Sequence, residues 1–207
     1  MTEFTIFIGM KQQILAEIVG NTDIYLLDQI LKGRYKPHDV LLDAGCGSGR
    51  NLQYFHESGF DFFAIDSNAE HVENLQQRYP KSAANCKVAT VEELPFPDQT
   101  FDHVLCNAVL HFAKSEAHFK EMFFELVRVL KKEGSLFIRM TSDIGIEGKP
   151  THLQNGVYFL PDASERFLLT RTVLNEILKT HQLSLLEPVK STNVHDLRSM
   201  TTLVLSK

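Results

Sequence analysis

The chain has 207 residues, 43% of them hydrophobic, which suits one globular domain carrying at most a lid or an extra hairpin. A net charge of −5, with Lys and Arg scattered rather than blocked, argues against a nucleic-acid partner, whose phosphates call for a basic face. Cys46, Cys86 and Cys106 form no CxxC pair, so neither a disulfide framework nor a zinc knuckle is legible.

No apolar run approaches the roughly 18 residues of a membrane span. The opening MTEFTIFIGMKQQ has an apolar patch, but Glu3 precedes it and no basic segment or cleavage-like site frames it. The expectation is a reduced, cytoplasmic protein.

In chain order, IYLLDQILK (24–32) has apolar residues at helical spacing, with Asp23 as N-cap and Gly33 as stop. Val40–Asp43 is a short apolar strand that runs into glycines. Arg50–Ser58 reads as a helix burying Leu52 and Phe55, and Phe60–Asp66 as a second strand. A helix carrying Val72, Leu75 and Tyr79 follows and stops at Pro80. Cys86–Val91 is a modest strand, Pro95–Asp102 is turn chemistry, and HVLCNAVL (103–110) is a fourth strand. Glu116–Leu130 is a helix, Gly134 ends it, and Ser135–Thr141 is a fifth strand.

Strands alternating with helices predict an α/β fold of βαβ units. The expected form is a three-layer, Rossmann-like sheet of about seven strands, mostly parallel. A helix near 172–180 precedes two apolar runs, LSLLEPV and TTLVLS, which predict a C-terminal antiparallel hairpin around NVHDLRS. Residues 142–169, with three glycines, two prolines and several aromatics, read as an insertion forming a lid, and residues 1–36 as an N-terminal helical segment beside it.

In an open parallel sheet, ligands bind beyond the carboxyl ends of the strands. The first strand ends in Gly45-Cys46-Gly47-Ser48-Gly49. Glycine belongs where φ is positive or where a ligand must lie against the main chain. A dinucleotide fingerprint needs its third glycine one residue later, where Arg50 stands, and a P-loop needs a Gly-Lys-Ser/Thr that is missing. Asp66, at the tip of the second strand, either accepts hydrogen bonds from ribose hydroxyls or caps the next helix. Its place 23 residues beyond Asp43 favours ribose.

These segments together carry a resemblance. DAGCGSG, Asp66, VEELPF (91–96), FDHVLCNAVLHF (101–112) and RVLKKEGSLFI (128–138) resemble the class I S-adenosylmethionine-dependent methyltransferases, and most closely the small-molecule "type 11" branch. The resemblance implies that Asp43, Gly45, Cys46 and Gly47 line the methionine and ribose of the cofactor. By the same resemblance Asp66 holds the ribose hydroxyls, Ser67 lies by the adenine, Val91 offers its amide to the ring, and Glu92 stands next to it. Asn107 meets the amino-acid end, and Leu110 or His111 borders the methyl. Relatives carry an acid where Thr90 stands, so Thr90 or Glu92 substitutes for it here.

His111 is a base, a substrate contact, or simply a polar loop residue. His103 and Cys106 point to opposite faces of their strand, which argues against a metal shared with His111. Cys46, at a helix start, is either an activated thiol or a small residue under the cofactor. Arg139, Arg166, His195 and Arg198 are substrate-facing candidates suited to an anion, or surface ion-pair formers.

The boxes of base-amino, cytosine-C5 and magnesium-dependent catechol methyltransferases are absent after the fourth strand. The expected function is metal-independent methyl transfer from S-adenosylmethionine to a small molecule by direct displacement. The rivals are a silent S-adenosylmethionine-binding module, a methyltransferase acting on tRNA or protein, and an NAD-dependent oxidoreductase.

Overall fold

The structure, a computed structural model, describes residues 14–207, so the first 13 residues of the expected N-terminal segment lie outside it. Residues 14–19 are helical and lead to α1 (Ile24–Leu31), where the Asp23 carboxylate accepts from the Tyr25 amide at 3.0 Å, as its capping role requires. The chain then alternates: β1 (Val40–Ala44), α2 (Gln53–Glu57), β2 (Asp61–Asp66), α3 (Ala69–Arg78), β3 (Cys86–Val88), β4 (Phe101–Asn107), α4 (Glu116–Val129) and β5 (Leu130–Ser142). After β6 (Thr151–Gln154), β7 (Val157–Phe159) and β8 (Glu165–Phe167) come α5 (Arg171–Thr180), β9 (Ser184–Leu185), β10 (Lys190–Val194) and β11 (Arg198–Ser206).

The main sheet runs β10-β11-β5-β4-β1-β2-β3, with β9 also paired to β11. Strands β3 to β5 are parallel, and β11 enters antiparallel between β5 and β10. The parallel strands are apolar on both faces because both are covered. Leu42, Ile65, Val104 and Cys106 face the core under α4 and α5. Their neighbours Leu41, Ala64 and Leu105 face the other core, under α1, α2 and α3. This period-two division makes three layers.

Several boundaries differ from the sequence reading. α2 begins at Gln53 rather than Arg50, because Gly47 and Gly49 hold positive φ and keep the chain turning. β3 stops at Val88, freeing residues 89–92 as a loop. β4 stops at Asn107 because Ala108 takes φ 63°, and a 3₁₀ turn over Leu110–Phe112 follows. The first strand of the C-terminal hairpin is not LSLLEPV but Lys190–Val194, which lies partly in the expected loop. It is a largely solvent-facing edge strand, so it carries polar residues that an apolar-run criterion passes over.

The 142–169 insertion forms its own antiparallel sheet, β6-β7-β8, over a small core of Ile146, Leu160 and Leu168. It is tied to the main domain by Phe167, which is fully buried and stacks on Phe119 of α4 at 4.7 Å.

Candidate functional site

Strand order reverses between β1 and β4, and the loops following β1, β2, β3 and β4 meet there around a cavity of about 620 Å³. The amides of Gly45 and Cys46 both donate to the Ile65 carbonyl at 2.9 Å, which binds the first loop to the second strand. At Gly45, φ is +80° and an added Cβ would lie 2.4 Å from the Val109 side chain, so only glycine lets the post-β4 turn close over the loop. At Gly47, φ is +53° and a Cβ would meet no protein atom within 4 Å, because this residue faces the open cavity. Asp66 Oδ2 accepts from the Gly47 amide at 2.8 Å, and Oδ1 accepts from the Asn68 amide at 2.9 Å. The helix cap is Asn68, whose side chain accepts from Glu70, so capping does not account for Asp66.

At the other end of the cavity, Arg50 Nη2 donates to Asn107 Oδ1 and to Asp23 Oδ2, both at 3.4 Å. Asn107 Nδ2 is a buried donor without an acceptor. Asn107 and Arg50 therefore offer N–H groups from two loops to one region, which suits a carboxylate. Asp43, 1% exposed with both oxygens unpartnered, lies behind the loop rather than on the cavity wall. Burial pushes its pKa up to about 7, opposed by Arg50 and reinforced by Asp66. Burial, with Asp43 and Asp66 beside it, also drives the Cys46 thiol far up, so this cysteine stays protonated and is no nucleophile.

Beyond β3, Thr90, Val91 and Glu92 line the cavity with Ser67. Glu92 is bonded to His118 Nε2 at 2.5 Å. Partial burial works against its ionisation, yet bonds from His118, its own backbone and Thr90 outweigh that and hold the carboxyl below its ordinary range. His118 and Lys114 are wall residues that sequence reasoning missed. His118 occupies an apolar-striped helix and meets Glu92 only through the fold.

Residues 42–138 match the family described as methyltransferase domain. The uncharacterized methyltransferase YodH of Bacillus subtilis is 30% identical over 118 residues, covering 56% of this chain and 46% of that protein. The matched segment, just under half of the chain, is thus similar to a methyltransferase domain. The uncharacterized protein MJ1123 of Methanocaldococcus jannaschii is 32% identical over 133 residues, covering 64% of this chain and 57% of its own. The chain thus spans about half the length of these curated relatives. The Burkholderia thailandensis 1,6-didemethyltoxoflavin-N1-methyltransferase, solved with its substrate and S-adenosylhomocysteine, shares the fold. Its TM-score is 0.68 at 19% identity, over 98% of this chain and 86% of that one.

Within the matched segment, Gly45, Cys46, Gly47, Asp66, Ser67, Val91, Glu92 and Asn107 all reach the main cavity. Leu110 does not: it is fully buried in the core beneath the 3₁₀ turn. His111 lines a second cavity of about 280 Å³, between that turn and the insertion, which adjoins the first at Phe112 and Lys114. Burial lowers the His111 pKa to about 4, helped by Arg166 and Arg198, so the imidazole is neutral at pH 7.

The four substrate candidates are not one cluster. Arg166 lines the second cavity, while Arg198 pairs with Asp162 at 3.5 Å. Arg139 is held by Asp23 at 3.1 Å and lies over the Tyr25 ring, and His195 sits on the exposed β10–β11 turn. His103 bridges Asp39 and Ser135 near the start of β4, at the opposite end of the strand from the His111 turn. Among the described residues, no three His, Cys, Asp or Glu side chains gather for a metal, and no helix is long and apolar enough to cross a membrane.

Proposed function

We propose that the chain transfers the methyl group of S-adenosylmethionine to a small-molecule acceptor by direct displacement. The observation that carries this reading is the single cavity at the strand switch point, where Gly47, Asp66 and the unpaired donor of Asn107 converge. These residues fit the cofactor in chemistry. Asp66 offers acceptor lone pairs for ribose hydroxyls, and Gly47 leaves open space above the main chain. Asn107 Nδ2 and Arg50 supply donors for the amino-acid carboxylate. Ser67, Thr90 and the Val91 amide border the adenine end. Glu92 is engaged by His118 and by Thr90, and a Thr90 hydroxyl that donates to Glu92 keeps its lone pairs open to the adenine amino group.

S-adenosylmethionine supplies a methyl already activated on a sulfonium, so the chain's task is chiefly alignment, a source of several kcal/mol. His111, uncharged at pH 7, stands beside the methyl-facing turn as a weak base. This suits an acceptor whose nucleophilic atom arrives with a free lone pair. The 142–169 insertion forms a wall of the second cavity and serves as the lid, while Asp23 of the N-terminal segment holds Arg50 at the cofactor end.

The test is calorimetry with S-adenosylmethionine, S-adenosylhomocysteine and NAD in separate titrations. Both S-adenosyl ligands should bind, with NAD at least tenfold weaker. Asp66→Ala should weaken S-adenosylhomocysteine binding by about 1–3 kcal/mol, by removing the acceptor of hydroxyl hydrogen bonds. Binding of NAD alone would refute the reading. Binding of the S-adenosyl ligands without turnover of any metabolite would leave a silent binding module.

A further inference from the structure

The second cavity has its own chemistry. Its volume, about 280 Å³, is just below that of most ligand cavities, roughly 300–1,000 Å³, and suits a single ring or a short chain. Phe112, Leu153, Val157 and Phe167 make much of its wall apolar. Two cations stand on the same wall, Lys114 and Arg166. Neither has a carboxylate within 4.0 Å among the described residues. Arg166 Nη1 donates to the Glu165 carbonyl at 2.6 Å, and its guanidinium lies 4.9 Å from the centre of the Phe112 ring. The ring and the carbonyl together fix this guanidinium, which preorganises its remaining N–H groups.

His111 is the independent sign of a ligand. It is 7% exposed, lines this cavity, and its Nδ1 is buried without any hydrogen-bond partner. A buried polar atom left unpaired is destabilising, a penalty that a ligand able to bond it removes. Glu165 is the one acid on the wall; it makes no ion pair with Lys114 or Arg166 and leaves the local balance positive.

We propose that the methyl acceptor is a small anion, a carboxylate or a phosphate monoester on a compact apolar body, seated in this second cavity with its charge on Arg166 and Lys114. The apolar body lies against Phe112, at the border with the cofactor cavity, so its nucleophilic atom faces the methyl. This use of the cavity rests on the methyl-transfer reading; the anion site itself does not.

Benzoate and phenyl phosphate are the probes, and benzamide the neutral control. Each is titrated into the S-adenosylhomocysteine-saturated protein and read by NMR of the arginine Nε and histidine ring signals. One of the anions should shift the Arg166 and His111 signals, and benzamide should bind at least tenfold more weakly. Arg166→Gln should weaken the bound anion at least tenfold and leave S-adenosylhomocysteine affinity within twofold, which also reports an intact fold. The stronger anion identifies the acceptor's charged group.

Benzamide binding as tightly as the stronger of the two anions, no shift of Arg166 by either anion, or an Arg166→Gln protein that holds the anion as tightly as the native one, would overturn the proposal. If S-adenosylhomocysteine failed to bind while benzoate still shifted Arg166, the methyl-transfer reading would fall and the anion site would stand.

Discussion

Asp43 illustrates how a position in the chain can be legible while its surroundings are not: expected to line the cofactor, it lies behind the glycine loop. Its position before the glycines is plain from DAGCGSG, but its complete burial depends on strands on both sides, with Ala64 and Leu105 as its register partners. Folding raises its pKa from 3.8 to about 7, with burial as the main cause. The native chain therefore keeps this proton over a range where the unfolded chain has lost it. The contribution is fully present below about pH 4 and is lost as pH rises towards 7. Ionising the native carboxyl costs about 4 kcal/mol at most. Asp43→Asn mimics the protonated form. Its stability relative to the native protein should therefore rise by a few kcal/mol between pH 5 and pH 8, as measured by urea unfolding at both. A constant difference would mean that Asp43 ionises in the native state as it does when unfolded.

At the scale of elements, the insertion shows how local pattern and tertiary anchoring divide the work. Residues 142–169 announce themselves by their glycines and prolines, and β6 to β8 form a small sheet over three apolar side chains. Such a core is too small to hold alone. Phe167 supplies the rest: buried and stacked on Phe119, it joins the insertion to α4 and to the main core. Phe167→Ala should cost about 3–5 kcal/mol of global stability and also speed amide exchange in β7. Exchange that quickens in β7 without a fall in global stability would make the insertion an independent unit.

The same division explains what was legible. Buried strands such as β1, β2 and β4 have apolar residues on both faces and stand out, as does α4 with its apolar stripe. β10 does not, because an edge strand needs backbone partners more than apolar side chains. The end of β4 was hidden too: Ala108 adopts a positive φ that no glycine signals, and this turn moves Leu110 into the core and His111 to the second cavity.

Across the whole molecule, the cofactor end is held by contacts between residues far apart in the chain, which no motif records. Asp23 caps α1 and accepts from Arg50 at 3.4 Å and Arg139 at 3.1 Å, while its own amide donates to Asn51. A helix cap, the glycine loop and the fifth strand thus share one carboxylate that is only 6% exposed. Arg139, which from sequence looked available for substrate, is engaged here instead, and Arg50 is held beside Asn107. Removing the acid takes away the cap, worth about 0.5–2 kcal/mol, and leaves two guanidinium groups without their shared partner. Because Arg50 is partly solvated, that second loss is well below a fully buried pair's. Asp23→Ala should therefore destabilise the protein by about 2–4 kcal/mol, and Asp23→Asn, which keeps the cap, by less. The alanine variant should also weaken S-adenosylhomocysteine binding several-fold, since Arg50 would no longer be held at the cavity beside Asn107. Urea unfolding and calorimetry read the two effects separately. A loss of stability with unchanged ligand affinity would show that the helix supports the fold but does not position the loop.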